Sequence, residues 1–300
     1  MKKIVFGRRP QVYLPEISAY INYINTNLDG WSGYDSQEID DYNPLDFDVV
    51  WRFMGFDVRR KGHKVIHEYN SLSTGLFAYS KNSIKKLVNV RPAARVFLNR
   101  AVRSQFSFKD DVPYVLRDMG IDKSFFLNAS EAKKEYDFVY AGSLKDRGRV
   151  IVNALEQFKS HCRDAKLLVI GNVPDTIYNH FGGLQNITFT GRVPYSEVPT
   201  LACKACYGLN LMPDIYPLNS QTATKVIEYC ALGLPVVSSD YKWVRRFESS
   251  RQGRFFFLNK DLSNLNVRDI QKFEFCVPNV KDLEWNNLIQ ASGIFNLLKS

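Results

Sequence analysis

Two charged residues with complementary chemistry stand close together in a helical pattern that spans residues 222–232. Ser220 and Thr222 near its start are good helix N-cap types, and Gly233 after it is a good helix-ending type. A helix start attracts phosphate through its free N–H groups and its dipole, and Lys225 would add a cation. Glu228 would share its face and could accept hydrogen bonds from ribose hydroxyls. The pattern favours a nucleoside-diphosphate site, with an ordinary helix carrying an exposed ion pair as the alternative.

Positive charge is concentrated in one part of the chain. Between Arg52 and Lys109 the sequence has 13 Lys and Arg but only two acidic residues, Asp57 and Glu68. This surplus exceeds the net charge of the whole chain, which is +9. A basic segment in an otherwise balanced protein indicates an anionic partner, such as membrane lipid, a pyrophosphate-linked substrate or nucleic acid. A solvated helical face is the alternative.

Cysteines and apolar runs indicate the class of protein. An odd number of cysteines, five, argues against a disulfide framework. Cys203 and Cys206 form a CxxC pair without a second such pair nearby, which favours two partly buried residues of one helix over a zinc or redox site. No run approaches the roughly 18 apolar residues that span a bilayer, and Ile4–Phe6 is too short for a signal peptide. We expect a cytoplasmic protein, with peripheral contact to the inner face of the plasma membrane through the basic segment.

Strands and helices alternate in the second half of the chain. The predicted strands are Phe138–Ala141, Ala165–Ile170, Ile187–Thr190, Gly208–Leu211 and Leu234–Val237. The predicted helices are Arg149–Lys159, Ser196–Cys203 and Thr222–Leu232. This order predicts right-handed βαβ units and a parallel sheet, in which ligands bind at the carboxyl ends of the strands.

The first half of the chain has a less regular pattern. The predicted strands are Lys2–Phe6, Phe47–Met54, Lys64–Tyr69 and Ala94–Asn99, and the predicted helix is Leu14–Asn25. Residues 28–46 are acidic and rich in turn-forming residues, which predicts a long loop. Residues 83–90 do not distinguish between helix and strand.

The helical segment that carries Lys225 and Glu228 resembles a known donor-binding motif. Its sequence is Ala223-Thr-Lys225-Val-Ile-Glu228-Tyr-Cys-Ala231-Leu-Gly233-Leu-Pro235-Val-Val, and it is similar in register to P-x-K-x-x-E-x-x-A-x-G-x-P-V-V. That form is common in retaining group 1 (family 4-like) glycosyltransferases of GT-B fold. The resemblance implies an α/β protein of two Rossmann-like domains, whose parallel sheets face each other across a cleft. Residues 1–134 would bind the acceptor and residues 135–300 the nucleotide sugar, with a terminal helix at Trp285 that crosses back.

Several residues gain roles from this resemblance. The segment Tyr140–Gly148 resembles the family turn whose basic residues stabilise the leaving diphosphate, which implies catalytic roles for Lys145 and Arg147 together with Lys225. Such cations replace a metal, so that no metal or other cofactor is expected. The predicted donor-binding residues are Gly7, Arg8, Gly142, Ser143, Val193, Ser220, Thr222, Ala223, Thr224 and Glu228. Ser220 stands where many family members have a glutamate that touches the donor sugar.

A histidine in the first half also matches the family pattern. Ile66-His67-Glu68-Tyr69-Asn70 resembles a strand whose histidine reaches the reaction centre in many members. The resemblance implies a catalytic role for His67, and a satisfied structural histidine is the alternative. Gly7 and Arg8 follow the first strand, where the family often brings backbone close to the donor phosphates.

The resemblance implies that a sugar passes from a nucleoside-diphosphate sugar to an acceptor hydroxyl with retention. The basic segment favours a lipid-linked or polysaccharide glycan as the acceptor, at the cytoplasmic face of an anionic membrane. Alternatives are an inactive GT-B nucleotide-binding module, a DNA-modifying glucosyltransferase and a nucleotide-sugar epimerase. Nucleic acid is the less favoured partner, because few aromatic residues interleave with the basic ones.

Overall fold

The computed structural model describes residues 1–8, 14–53, 57, 64–72, 78–127, 129–144 and 149–298. The strands are β1 (Lys2–Gly7), β2 (Trp31–Asp35), β3 (Val49–Phe53), β4 (Lys64–Tyr69), β5 (Ala94–Phe97), β6 (Tyr114–Leu116), β7 (Tyr136–Ala141), β8 (Leu167–Ile170), β9 (Ile187–Gly191), β10 (Ala205–Asn210), β11 (Val236–Ser239) and β12 (Phe256–Leu258). The helices are α1 (Pro15–Asn27), α2 (Ala78–Val88), α3 (Arg100–Phe106), α4 (Arg149–Ser160), α5 (Asp175–Phe181), α6 (Val198–Ala202), α7 (Thr224–Ala231), α8 (Lys242–Ser250), α9 (Val267–Lys272) and α10 (Trp285–Ser292).

The first of two compact units comprises Met1–Asp122 with Asp282–Ser300. Its strands are all parallel, in the order β2-β1-β3-β4-β5-β6. In the central strand β1, Ile4, Val5 and Phe6 are fully buried. A continuous apolar run is what a parallel strand requires when elements cover both faces of its sheet.

Aromatic rings fill the space between this sheet and the helices beside it. The rings of Phe6, Tyr20 and Trp51 have centroids 5.5 to 5.6 Å apart. Helix α10 begins at Trp285, whose indole lies so close to Gly120 that a Cβ on that glycine would fall within 2.3 Å of it. The terminal segment is therefore part of the core of the first unit.

A buried ion cluster joins three elements of the same unit. Arg117, after β6, is fully buried and donates a hydrogen bond to Glu68 of β4. The Nη2 atom of Arg117 also lies 3.7 Å from Oε1 of Glu16 on α1. Burial raises the pKa of Glu16, whereas the charge of Arg117 lowers it. Since a buried charge is costly without its partners, this cluster fixes α1 and the chain after β6 relative to β4.

The second unit, Lys123–Lys281, contains the other sheet. Its strands are again all parallel, in the order β12-β11-β10-β7-β8-β9. Helix α4 packs an apolar face on this sheet, and the ring of its Phe158 meets that of Phe138 edge-on at 5.6 Å. The buried residues of that face are Ile151, Ala154, Leu155 and Phe158. This spacing is the one that places side chains on one side of a helix.

Two expectations for local structure are wrong. Residues 28–46 are not a single long loop, because Trp31–Asp35 forms β2 and pairs in parallel with β1. This strand lies at the sheet edge and is only partly buried, so it needs no apolar run that would reveal it in the sequence. Cys203 and Cys206 do not share a helix, since Cys203 follows α6 and Cys206 lies in β10. Both thiols are unpaired.

The ambiguous residues 83–90 belong to a helix for the most part, because α2 extends to Val88. The division between the two units falls after Asp122, earlier than the expected boundary at 134/135, and helix α10 belongs to the first unit. In the part of the chain that the structure describes, no helix has the length and apolar character needed to cross a membrane.

Candidate functional site

Glycines mark the carboxyl edge of the second sheet at the ends of β7, β8 and β9. Gly142, directly after β7, has a φ of +139°, a conformation that residues with a Cβ rarely adopt. A Cβ there would also lie 2.9 Å from Nζ of Lys225. Gly171 follows β8 with a φ of +138°. Glycines in such positions allow a ligand to approach the backbone closely.

Helix α7 is fixed on this sheet by Tyr229. The ring lies flat against Gly208 of β10, where an added Cβ would be 2.4 Å from it. Its hydroxyl accepts a hydrogen bond from the backbone N–H of Ala141 at the end of β7, across 3.0 Å. Because Tyr229 follows Glu228 directly and Lys225 by one turn, this anchor positions both charged residues.

The side chain of Lys225 is directed toward the end of β7. The residue is only 8% exposed. Its Nζ lies 4.0 Å from the centroid of the Tyr140 ring, a cation–π contact. The same atom is the nearest neighbour of the Cβ position at Gly142. A cation in the first turn opposes the helix dipole, and an anion bound beside it would offset that cost.

The carboxyl group of Glu228 is held by a tyrosine from a different loop. The hydroxyl of Tyr195 donates to Oε1 of Glu228 across 2.7 Å. Tyr195 begins the 3₁₀ turn Tyr195–Glu197 after β9, and its ring packs on that of Phe125 at 5.1 Å. Burial raises the pKa of Glu228, whereas the bond from Tyr195 and the charge of Lys225 lower it. The carboxyl group is thus oriented as an acceptor of hydroxyl hydrogen bonds.

The start of α7 differs from the predicted cap. The N-cap residue is Ala223, in an extended conformation, and not Ser220 or Thr222. Ser220 instead ends the 3₁₀ turn Leu218–Ser220, and its hydroxyl lies 3.1 Å from Oδ1 of Asn219. Since alanine has no capping side chain, the first N–H groups of the helix, beginning with Thr224, depend on other acceptors. A phosphate is one such acceptor.

An unsatisfied amide lies directly before this helix start. The Nε2 atom of Gln221 is buried and has no hydrogen-bond acceptor among the described residues. A buried donor without a partner costs about 1–3 kcal/mol, and ligand binding is one way to recover it. Gln221 is therefore a candidate donor contact that the sequence did not reveal.

The remaining predicted residues of the second unit lie close to the same edge in sequence. Val193 is half-buried, between β9 and the 3₁₀ turn that carries Tyr195. Ser143 is exposed, and its carbonyl accepts a hydrogen bond from the Tyr140 hydroxyl across 3.2 Å. Lys145 and Arg147 lie outside the described residues.

The first unit holds Gly7, Arg8 and His67. Arg8 follows β1, and its Nε donates to Oδ2 of Asp35 across 2.8 Å. The His67 side chain is 1% exposed, with Nε2 3.3 Å from Oδ2 of Asp57. Burial lowers the pKa of His67 despite this pair. Nδ1 of His67 is buried and has no hydrogen-bond partner among the described residues. The catalytic role of His67 therefore stays a prediction, beside the structural alternative.

An unpaired arginine lies in register with these residues. Arg52 of β3 stands between Gly7 on β1 and His67 on β4. Its guanidinium packs on Gly7, where a Cβ would fall 2.7 Å from Nη1. Arg95, the next residue in this row, pairs with both carboxylate oxygens of Asp110. Within the described residues Arg52 has no carboxylate partner, so its half-buried guanidinium is a candidate to bind an anionic group.

The sequence carried no direct signal for four of these residues. Tyr140 belongs to a segment that resembles the family, yet only the folded chain brings its ring to Lys225 and the Tyr195 hydroxyl to Glu228. The role of Gln221 depends on an absent partner, and that of Arg52 depends on strand register. Neither property can be read from residue spacing.

A hollow in the second unit lies apart from this edge. Its volume is about 750 Å³, and it is lined by residues such as Asp137 at the start of β7 and Ala165 just before β8. It is therefore at the amino ends of these strands and contains none of the candidate residues.

No group of three or more His, Cys, Asp and Glu side chains within the described ranges is placed to hold a metal ion. The expectation that no metal is needed stays a prediction.

A protein-family model matches most of the second unit. Residues 135–265 match the family of group 1 glycosyl transferases. A search of curated proteins finds no match. The structure of AviGT4, a glycosyltransferase involved in avilamycin A biosynthesis, is similar with a TM-score of 0.57 and 16% identity, over 100% of this chain and 95% of that chain.

Two other solved structures extend this comparison. HepE from Anabaena, in complex with UDP and glucose, has a TM-score of 0.61 and 10% identity, over 100% of this chain and 96% of that chain. A glycosyltransferase from Rickettsia africae ESF-5 has a TM-score of 0.64 and 10% identity, over 100% of this chain and 99% of that chain. The predicted GT-B fold and the resemblance to group 1 glycosyltransferases are confirmed.

Proposed function

We propose that this group 1 glycosyltransferase moves a sugar from a nucleoside-diphosphate sugar to an acceptor hydroxyl, with retention of configuration and without a metal ion. The observation that carries the proposal is the buried pair Lys225 and Glu228, held beside the glycine-marked edge of the second sheet. The complex of the Anabaena protein with UDP and glucose supports a nucleotide-sugar donor.

The diphosphate would lie between Gly142 and the first turn of α7. Lys225 would supply a cation, and the first N–H groups of the helix would donate hydrogen bonds to phosphate oxygens. We include Lys145 and Arg147 in this site, because both follow Gly142 closely in the chain and are cationic. Cations arranged before the reaction stabilise the negative charge that develops on the leaving diphosphate.

The nucleoside and the sugar would occupy the two sides of this diphosphate. Glu228, oriented by Tyr195, would accept hydrogen bonds from the ribose hydroxyls. The backbone near Val193 would contact the base. Gln221 would donate its unsatisfied N–H group to an oxygen of the donor, in the region where family members carry a glutamate at the position of Ser220.

The transfer step needs little covalent participation by the protein. The bond from the anomeric carbon to the diphosphate oxygen breaks, and its electron pair stays on the diphosphate. The acceptor oxygen forms the new bond and its proton passes to the leaving phosphate. Positive charge develops on the sugar as in other glycosyl transfers, through an oxocarbenium-like transition state. No side chain of the candidate site is placed in the role of a nucleophile.

For the acceptor we propose a glycan that is lipid-linked or part of a polysaccharide, at the cytoplasmic face of a membrane. The guanidinium of Arg52, which has no carboxylate partner among the described residues, supports an acceptor that carries an anionic group such as a pyrophosphate. The surplus of positive charge between Arg52 and Lys109 supports the same class of acceptor.

The test is a calorimetric titration without metal of UDP, GDP, ADP and TDP against the protein and against Glu228→Ala. We expect one nucleotide to bind best, and its affinity to fall about tenfold or more in the variant, at least ~1.4 kcal/mol. The corresponding nucleotide sugar is then incubated with glycan acceptors, and the anomeric configuration of the product is read by NMR.

Each alternative has its own result. A lack of binding by all four nucleotides would contradict the donor site. Nucleotide binding with neither transfer nor slow donor hydrolysis would indicate an inactive binding module. Conversion of the donor sugar without an acceptor would indicate an epimerase, and transfer to duplex DNA a DNA-modifying enzyme.

A further inference from the structure

Helix α2 of the first unit presents apolar side chains to the solvent. Ile84, Leu87 and Val88 are 48%, 83% and 44% exposed. Their spacing puts all three on one side of the helix. Single exposed apolar residues are common on protein surfaces, but three that form one helical stripe indicate a surface that another phase or molecule covers.

A polar residue on the opposite side of α2 faces the protein. Asn82 is buried, at 7% exposure. Just after the helix, the side chain of Asn89 accepts a hydrogen bond from the backbone N–H of Asp57 across 2.8 Å. A helix that packs on a protein core ordinarily buries its apolar side and exposes its polar side. In α2 the apolar residues Ile84, Leu87 and Val88 are instead exposed, so packing on the core does not explain this stripe.

Basic residues outnumber acidic residues around this stripe. From Asn70 to Lys109 the sequence contains eight Lys and Arg and no acidic residue. These are Lys81, Lys85, Lys86, Arg91, Arg95, Arg100, Arg103 and Lys109. Arg91 and Arg95 form ion pairs with Asp111 and Asp110, the two acidic residues that directly follow this segment. A surplus of cations therefore remains on α2 and the segment that follows it.

Helix α3 and the loop after it join this basic surface to α2. The Nζ atom of Lys86 donates to the backbone carbonyl of Ser107 across 2.8 Å. Arg100 and Lys109 are exposed. The guanidinium of Arg103 lies 3.9 Å from the ring centroid of Tyr114, which is itself 44% exposed. Arginine and tyrosine suit the boundary between water and lipid, because each has an apolar part and a polar end.

We propose that this α2 surface, with Ile84, Leu87 and Val88 as its apolar part and Arg100, Arg103 and Lys109 among its cations, docks on an anionic lipid bilayer. The three apolar side chains would enter the interfacial layer while the cations meet lipid phosphates. The inference rests on the proposed function for its choice of partner, because it would bring the enzyme to a lipid-linked acceptor. The residues that carry it are separate from the donor site.

The size and charge of the surface favour a bilayer over other occupants. A stable protein interface uses about 20–30 residues a side, far more than this stripe provides. Nucleic acid would use the cations alone, since phosphate contacts make no use of outward aliphatic side chains. A bilayer uses both, because insertion of apolar residues and attraction to anionic headgroups add together.

The test is co-sedimentation of the full chain with two kinds of vesicle at 50 mM and 500 mM NaCl. One kind contains phosphatidylcholine alone, and the other contains phosphatidylcholine with phosphatidylglycerol at about one third. The stripe variant is Ile84→Gln, Leu87→Gln and Val88→Gln together, which keeps helix-forming residues at positions that do not enter the core. The matched control is Leu45→Gln, which changes a leucine that is 63% exposed in an acidic region of the same unit.

We expect the protein to bind the anionic vesicles at low salt and to lose most of this binding at high salt. The stripe variant should bind at least tenfold more weakly, with an unchanged melting temperature, and Leu45→Gln should bind like the parent. A charge variant, Arg100→Glu with Lys109→Glu, should also lose binding at low salt.

Equal binding by the parent and the stripe variant would overturn the inference, as would no binding to anionic vesicles or tighter binding to duplex DNA at the same salt. Nucleotide titration of the same samples separates this result from the proposed function. Vesicle binding without nucleotide binding would support the α2 surface and contradict the donor site. Nucleotide binding without vesicle binding would leave the donor site standing.

Discussion

The hydroxyl of Tyr195 donates a hydrogen bond to Oε1 of Glu228 across 2.7 Å, linking the loop after β9 to the middle of α7. This bond favours the ionised form of a carboxyl group whose pKa burial raises. The two residues are separated widely in sequence, yet together they determine how the proposed ribose acceptor is oriented and at what pH it carries charge.

Tyr195→Phe should shift the pH dependence of nucleotide binding. The variant loses a bond that favours the carboxylate, so that the pKa of Glu228 rises further. Ribose binding needs the carboxylate, and binding should therefore weaken at a higher pH than in the parent. Affinity for the preferred nucleotide, measured by calorimetry from pH 4.5 to 8, gives the midpoint. Tyr178→Phe, at a ring that is 54% exposed, is the control and should leave the midpoint unchanged.

Glu228→Gln should separate stability from binding. Because burial raises the pKa of Glu228 in the folded protein, its contribution to stability is fully present below the unfolded pKa of about 4.3 and is lost as pH rises through the folded pKa. The amide cannot ionise, so at pH 7 the variant should melt at the same temperature as the parent or higher, by roughly 2–4 °C per kcal/mol. At pH 4 this gain should disappear.

The control for this variant is Glu156→Gln, at a carboxylate that is 42% exposed. It should change neither the melting temperature by more than about 1 °C nor the nucleotide affinity, because exposed ion pairs contribute little. The opposite result is that Glu228→Gln melts well below the parent at pH 7 while Glu156→Gln does not. This result would contradict the claim that the Glu228 carboxylate serves binding and lowers stability.

Gln221→Met should weaken donor binding without loss of stability. Methionine has a similar shape and removes the buried Nε2 donor that has no acceptor among the described residues. The free protein should therefore be equally stable or more stable by up to about 1 kcal/mol. If the donor supplies the missing acceptor, affinity for the nucleotide sugar should fall about tenfold. An equal fall in affinity for the nucleoside diphosphate alone would indicate a contact to phosphate, and an unchanged affinity for it would indicate a contact to the sugar. A variant with unchanged affinity for both would exclude Gln221 from the donor site.

Gly142→Ala tests the close approach at the end of β7. The new Cβ would lie 2.9 Å from Nζ of Lys225, at a φ of +139° that alanine rarely adopts. We expect a loss of about 1–3 kcal/mol in the free energy of unfolding, together with weaker nucleotide binding because Lys225 must move. Gly183→Ala is the matched control, since nothing lies within 4 Å of its Cβ position. Urea unfolding of both variants gives the comparison, and equal effects would show that Gly142 has no special requirement for glycine.

Much of the fold was predictable because apolar runs and turn residues carry it. The alternation of strands and helices after Phe138 and the helix that bears Lys225 follow from residue spacing alone, and the structure confirms them. Strand β2 was missed because an edge strand with Gly33 and Asp35 needs few buried apolar residues. The prediction for residues 83–90 was ambiguous because α2 exposes apolar residues, namely Ile84, Leu87 and Val88, that a helix usually buries.

The candidate site was predictable where one segment carries several of its residues. Lys225 and Glu228 are neighbours on one helix, so their common face follows from helical geometry. Tyr195, Gln221 and Arg52 could not be found in this way, because each depends on a loop position, an unsatisfied atom or a strand register. His67 was identified by resemblance alone. Its Nε2 lies beside Asp57 and its Nδ1 has no partner among the described residues, so its catalytic role stays a prediction.

Arg117→Met should be among the most destabilising single changes in the first unit. Arg117 is fully buried and pairs with Glu68 and Glu16, so its removal leaves two buried carboxyl groups without their cation. Breaking such a buried cluster from one side costs about 3–5 kcal/mol.

Arg91→Met is the matched control, because Arg91 pairs with Asp111 at the surface and both are largely exposed. This variant should lose no more than about 1 kcal/mol. Urea unfolding followed by tryptophan fluorescence should report the first change strongly, since Trp51 and Trp285 lie beside the cluster. Equal losses in the two variants would mean that the buried pairs do not hold the first unit together.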